Sequence, residues 1–380
     1  MAETEPIQLP GKYFLTGPGL TYCRKRQIPL RELSKRRGDR GSGFVWKTFH
    51  PINVQRFVAY ELLEEIEIER PEFLTKRREI MTMTRFTVTG ILFKRFRPEL
   101  KQLIRQSKLF TKIEQHSREV GRAHILAFVK RNERAIRAIR HSLMFEPEQS
   151  IQQDASLNER ERTQRLQEIR SIVDAIDDEV WFLLALLSDA DHRQNLVRTI
   201  QDLLTRYVQR FRVADYVSLI LMELLQYAET TQLHNFAERD RSARLDSGDI
   251  ASRLSDPSFR EKLFERAART NSLLGLNYAF TGNPYSNDTP PQVKISVINH
   301  GLLGYGSRET ILTKRGREVR SVPLAQFYET ESPDQFDTTL GTYYLESLQK
   351  AVEDAGMHFA SDLVRDERRE ETSTTIVIGM

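Results

Sequence analysis

The sequence predicts an α+β protein: a mainly helical N-terminal half, followed by an α/β sandwich in which a mixed sheet packs on helices. Three observations carry this expectation. Apolar residues recur at three- and four-residue spacing through much of 53–145, the period of a helix face. Four later segments, 273–281, 292–299, 358–364 and 373–379, read as strands. Helical stretches at 191–211, 214–230 and 343–355 are interleaved with them. A chain of 380 residues with 29% charged and 39% hydrophobic side chains has the composition of a soluble globular protein long enough for two domains.

Taken in order, residues 1–50 read as an irregular basic segment, punctuated by Pro10-Gly11, Gly17-Pro18-Gly19 and Gly41-Ser42-Gly43. A helical domain is expected over 51–146. Within it Val54, Phe57, Val58, Leu62, Ile66 and Ile68 fall on one helical stripe, Pro71 interrupts, and helices follow at 73–85 and 98–109. Phe86-Thr87-Val88-Thr89-Gly90 is locally strand-like inside a helical context. Residues 111–145 give the clearest helix of this half, with an apolar stripe from Ile113 to Leu143 and a basic far side of Lys130, Arg131, Arg134, Arg137 and Arg140. The polar, Pro147-containing stretch 147–158 reads as a linker. A second domain is expected over 159–380. The run Trp181–Leu187 is read as core or as an interface, with a strand at 180–187 as an alternative ending of the preceding helix.

Charge is uneven along the chain. Residues 1–150 hold 30 Lys/Arg against 17 Asp/Glu, a net +13, and the remainder is net −9. The clusters Arg24-Lys25-Arg26 and Lys35-Arg36-Arg37 with Arg40, near Tyr22, Phe44 and Trp46, form a candidate basic surface for nucleic acid or another acidic surface. Solvated loop charge, or attraction between the two halves, explains the same pattern. No apolar run reaches the length of a membrane helix, so no membrane span is expected. The acidic N-terminus lacks the apolar core of a secretory signal, and the one cysteine, Cys23, cannot make an internal disulfide, so the expected location is cytoplasmic. The eight histidines show no metal-ligand spacing, and no metal site is expected from them.

Three short segments stand out by their order. Glu223-Leu224-Leu225-Gln226-Tyr227-Ala228 lies in an apolar helical stretch. Val293 to Gly301 is a strand running into an Asn299-His300-Gly301 turn. Thr339-Leu340-Gly341-Thr342 is a glycine turn ahead of a helix. Over about residues 190–380 this succession resembles the ATP-binding domain of the histidine-kinase-like (Bergerat-fold) ATPases, with a helical insertion at about 232–270. The resemblance implies roles residue by residue. Glu223 would be the catalytic residue if the domain is active. The position of Tyr227 would carry an amide that holds magnesium. Asn299 stands where a carboxylate would read adenine. Gly301 would let the ring approach, and Gly341 would belong to a phosphate-binding turn at a helix N-terminus.

Each segment lacks one residue of that pattern. Tyr227 replaces the magnesium-holding amide, Asn299 has lost the charge, and Thr339 stands in place of a first glycine. The expectation is therefore a non-catalytic signalling or scaffold protein, a pseudo-ATPase acting through protein–protein contact or as a homodimer, with no cofactor. Two alternatives stay open: an ATP- and magnesium-binding regulatory kinase or ATPase of the anti-sigma-factor-like type, and a nucleic-acid-binding regulator using the basic N-terminal half.

Overall fold

The computed structural model describes residues 6–28, 42–47, 50–106, 120–155, 157–174, 176–187, 190–239, 253–254, 256–270, 273–283, 288–300, 319–323, 338–366 and 371–380. They form α+β architecture in two units. The first comprises residues 1–91 and 213–380, the second 92–212. The chain passes from the first to the second within one helix, α3 (Arg77–Gln106), and returns within another, α8 (Ala190–Arg239).

The first unit is built on an eight-stranded sheet: β1 (Gly11–Leu15), β2 (Ser42–Trp46), β3 (Leu63–Arg70), β4 (Leu274–Thr281), β5 (Gln292–His300), β6 (Val319–Pro323), β7 (His358–Asp366) and β8 (Glu371–Gly379). The order is β2-β1-β3-β4-β5-β8-β7-β6. The four strands expected late in the chain are β4, β5, β7 and β8. The expected mixed sheet is corrected: every pairing is antiparallel. Short links close β4–β5 and β7–β8 as hairpins, and the junctions β3–β4 and β5–β8 keep the alternation.

One face of this sheet is apolar and carries Tyr13, Ile66, Ile68, Leu276, Tyr278, Ile295, Val297, Leu363 and Ile376. These residues share one core with α2 (Pro51–Ala59), the first half of α3, the second half of α8 and α10 (Thr338–Asp354). The other face mixes polar side chains such as Glu67, Asn277 and Lys294 with Phe14, Ile298 and Val377. Lys12 there bonds Glu69 at 2.8 Å, and Asn277 donates to Glu65 at 2.5 Å.

Among the described residues of the first seventy, strands and helices stand where the composition implies irregular chain. β1 alternates buried Gly11, Tyr13 and Leu15 with Lys12 and Phe14. α1 (Gly17–Lys25) starts at the turn residues themselves: Thr16 caps it by accepting from Gly19 N at 3.0 Å, and Pro18 sits in the first turn. Gly19 is required by proximity, because a Cβ there would lie 2.0 Å from the Leu62 carbonyl oxygen. The helical stripe through Ile66 and Ile68 is also corrected. Only 51–59 is helical, and Leu63-Glu-Glu-Ile-Glu-Ile-Glu-Arg70 is a strand whose glutamates mostly face away from the core. Ile66 lies four residues after Leu62, which suits a helix, and two residues before Ile68, which suits a strand. Burial of both isoleucines on the sheet decides for the strand.

Residues 73–106 form a 3-10 turn (Leu74–Lys76) and the single helix α3, which runs through the strand-like 86–90 segment and through Pro98. In the second unit, the helix expected over 111–145 is two helices, α4 (Arg122–Arg131) and α5 (Glu133–Gln153), with Asn132 capping one and starting the next. Residues 111–119 lie outside the described residues. Of the expected linker, 147–153 continue α5 and 154–158 lead to α6 (Glu159–Asp174). Trp181–Leu186 is helical, within α7 (Asp178–Leu186), rather than a strand. Trp181 is fully buried, donates its Nε1–H to Ile176 O at 3.1 Å, and carries Arg140 over its ring at 4.7 Å. Edge-on ring pairs, Phe96–Tyr207 and Phe128–Phe182, tie these helices together.

The two helices expected at 191–211 and 214–230 are one, α8. The stretch after it contains α9 (Pro257–Arg269), with 240–252 outside the described residues. Among the described residues no helix is long and apolar enough to cross a membrane.

Candidate functional site

The second half of α8 lies in the core of the first unit, and Glu223 and Tyr227 are four residues apart on it, on neighbouring positions of one helix face. Glu223 is half-buried. Tyr227 is 7% exposed and belongs to the apolar cluster shared with the sheet. A magnesium ion needs small oxygen ligands and room for its waters. A phenol ring packed into a core gives neither, so position 227 does not fit that role.

Asn299 lies on β5 one residue from its end, on the face that carries Ile295 and Val297. Its side chain is 1% exposed, and neither Oδ1 nor Nδ2 has a hydrogen-bond partner among the described residues. An unsatisfied buried amide group costs about 1–3 kcal/mol. Gly301 and the residues after it, 302–318, lie outside the described residues, as does the side chain of His300. Gly341 is corrected: it is the fourth residue of α10, inside the helix rather than in a turn before it. Thr338 to Thr342 are continuously helical, so Gly341 shapes no turn of its own. Asn299 therefore holds a buried amide without a partner among the described residues, magnesium does not fit position 227, and Gly341 does not supply a phosphate-binding turn.

Strand register places two further polar residues beside Asn299. Thr372 on β8 is directly opposite it, and Arg365 on β7 is directly opposite Thr372. All three are on the core face and nearly inaccessible, at 1% for Thr372 and 5% for Arg365. The sequence gives no hint of this row, because cross-strand register is not written in any one segment.

A second buried group escapes a reading of the sequence. Glu229, 1% exposed on α8, accepts through one carboxylate oxygen from Phe73 N at 2.8 Å and Leu74 N at 3.1 Å. Its other oxygen accepts from Arg260 of α9 at 3.2 Å. Burial raises its pKa above the ordinary value, against the two amides and Arg260, which lower it. The only signal in the sequence is an acid within an apolar helix. Nearby, Thr84 of α3 meets Tyr278 of β4 at 2.8 Å. Thr84 gives its proton to Ile80 O, so Tyr278 donates to Thr84.

Of the basic surface, Arg24 and Lys25 end α1 and Arg26 caps it, with its guanidinium 5.7 Å from the Tyr22 ring. All three are exposed. Lys35, Arg36, Arg37 and Arg40 lie outside the described residues. Among the described residues no group of three or more His, Cys, Asp or Glu is placed to hold a metal ion.

No solved structure matches this chain. An uncharacterized protein of Treponema pallidum (strain Nichols) is 22% identical over 380 residues, covering 97% of each chain. A family model described as a family of unknown function, DUF8084, matches residues 2–380, and the chain belongs to that family.

Proposed function

We propose that the sheet-bearing unit is a degenerate histidine-kinase-like ATPase-type domain that acts as a non-catalytic signalling or scaffold module, through protein–protein contact, in the cytoplasm. One observation carries the reading: Tyr227 fills core space at the position where the resemblance calls for a magnesium-holding amide. The order of elements supports it as well. The Glu223 helix is followed, after α9, by β4 and β5, and then, after β6, by α10, β7 and β8. Glu223 is half-buried on the same helix, four residues before the tyrosine that takes the place of the magnesium-holding amide.

Calorimetric titration of the full-length protein with ATP and ADP, with and without magnesium, tests the proposal. The expected result is no magnesium-dependent binding. A magnesium-dependent Kd in the micromolar range overturns it in favour of the active regulatory kinase or ATPase, and Glu223→Ala then becomes the decisive variant.

A second reading has its own observation. Arg122, Lys130, Arg131, Arg134 and Arg137 are all exposed on α4 and α5, with Arg137 paired to Glu133 at 2.8 Å. Such a strip suits nucleic acid. Oligonucleotide affinity falling steeply with added salt supports that reading, and absent or salt-insensitive binding removes it.

A further inference from the structure

In the second unit, α5 and the first half of α8 border a groove of about 400 Å³. That volume falls within the range of small-molecule pockets, about 300–1,000 Å³. His141, Phe145 and Glu146 line it from α5, and Gln194, Val197 and Arg198 from α8. The three α8 residues lie at i, i+3 and i+4, one helix face. Gln201, buried on the same face, donates Nε2–H to Ser142 O at 2.6 Å and ties the two helices together.

The charges in this groove are left open. Elsewhere on α5 the cations are paired: Arg137 with Glu133, and Arg140 with Asp174. The acid Glu148, two residues beyond Glu146, holds Arg170. Glu146 and Arg198 have no ion pair among the described residues, with each other or with any other group. His141 and Gln194 likewise have no hydrogen-bond partner there, and all four are exposed. The groove thus offers one acceptor-only carboxylate, one donor-only guanidinium, an imidazole and an amide. Between them lies an apolar surface: Val197 is buried, and the Phe145 ring is 52% exposed, so one of its faces is open to a ligand.

This set selects a ligand that carries both charges. A simple anion would satisfy Arg198 and His141 but face the carboxylate of Glu146. A simple cation would satisfy Glu146 and face the guanidinium. A peptide end supplies one charge only, whereas a free amino acid carries an ammonium and a carboxylate on neighbouring atoms. We propose that the groove binds a free amino acid with an aromatic or other apolar side chain. Its carboxylate goes to Arg198 and His141, its ammonium to Glu146, and its side chain to Phe145 and Val197. The groove lies in the helical unit and contains none of the residues on which the functional reading above rests, so the ATP titration does not bear on it.

The test is calorimetry on the full-length protein with L-phenylalanine, N-acetyl-L-phenylalanine, L-phenylalaninamide and glycine. The second lacks the ammonium, the third the carboxylate and the fourth the apolar group. The expected result is saturable binding of phenylalanine, with each of the other three weaker by about tenfold or more. Glu146→Gln is expected to bring phenylalanine down to the affinity of its N-acetyl form and to leave that form unchanged. Arg198→Gln should do the same with respect to the amide. Both side chains are exposed, so neither change removes a core contact. No saturable binding of phenylalanine at about 5 mM, any of the three other ligands binding as tightly, or phenylalanine affinity unchanged in either variant would overturn the proposal.

Discussion

Replacing Glu229 separates the work of its oxygen atoms from that of its charge. Both backbone amides, Phe73 N and Leu74 N, bond the same oxygen, and Arg260 bonds the other. Glu229→Gln can keep its amide oxygen on the two N–H groups. It loses only the pair to Arg260, whose side chain is 35% exposed, a contact worth about 0–1 kcal/mol. Glu229→Ala leaves the buried Phe73 N and the part-buried Leu74 N without an acceptor, at about 2–4 kcal/mol together. Urea denaturation at neutral pH, followed by circular dichroism, measures both. The expected order is wild type close to Gln, with Ala well below. Equal losses in Gln and Ala would refute this division and assign the site to its charge.

The pH dependence of the same group is also fixed in sign. Its pKa in the folded protein is raised above 4.5. In the window from about 4.5 up to that raised value, the folded protein keeps a proton that the unfolded chain has released. The Glu229 contribution therefore makes stability fall as pH rises through the window and level off above it. Glu229→Gln should remove this component, and an unchanged difference curve between variant and wild type would contradict it.

Tyr278→Phe should cost about 1 kcal/mol, and Thr84→Val about 1–2 kcal/mol because it leaves the buried Tyr278 hydroxyl unpaired; the double variant should cost less than the sum in a denaturation cycle. Gly19→Ala should destabilise by about 1–3 kcal/mol or more, since its Cβ meets backbone rather than a movable side chain, and a melting temperature equal to wild type would show that the Leu62 approach is not tight. Removing one partner of the buried Arg165–Glu168 pair, at 3.1 Å with side chains 2% and 8% exposed, should cost about 3–5 kcal/mol by the same denaturation assay, whereas an apolar pair of similar volume should be close to neutral.

How much of the molecule is legible in the sequence follows from where each signal is stored. β5 and β8 can be read from their own residues, because Val, Ile and Thr cluster there, and β4 from the alternation of Leu274, Leu276 and Tyr278. β3 cannot, because Ile66 and Ile68 also continue a helical stripe from α2. The 86–90 segment looks like a strand by composition. In α3 its two threonines turn their hydroxyls back onto the helix, Thr87 to Thr84 O and Thr89 to Arg85 O, so they are satisfied without a sheet partner. Asn299 is visible as a departure from a motif. Thr372 and Arg365 are not, since only pairing between distant strands places them beside it. Tyr227 is visible as the wrong residue for magnesium, and its burial gives that observation a physical basis.

The interruption of one unit by the other sets a schedule for synthesis. β3 finds its partner β4 only through pairings such as Arg70 with Leu274, about two hundred residues later. At about 5–20 residues per second, a ribosome takes roughly 10–40 s to cover that distance. Throughout it, the β1–β3 ribbon offers the free edge of β3, with Ile66 and Ile68 still uncovered, to any other strand nearby. Chains that stop short of β4 would keep that edge permanently. Loss of the last third of the protein should thus yield aggregates rather than a smaller folded product.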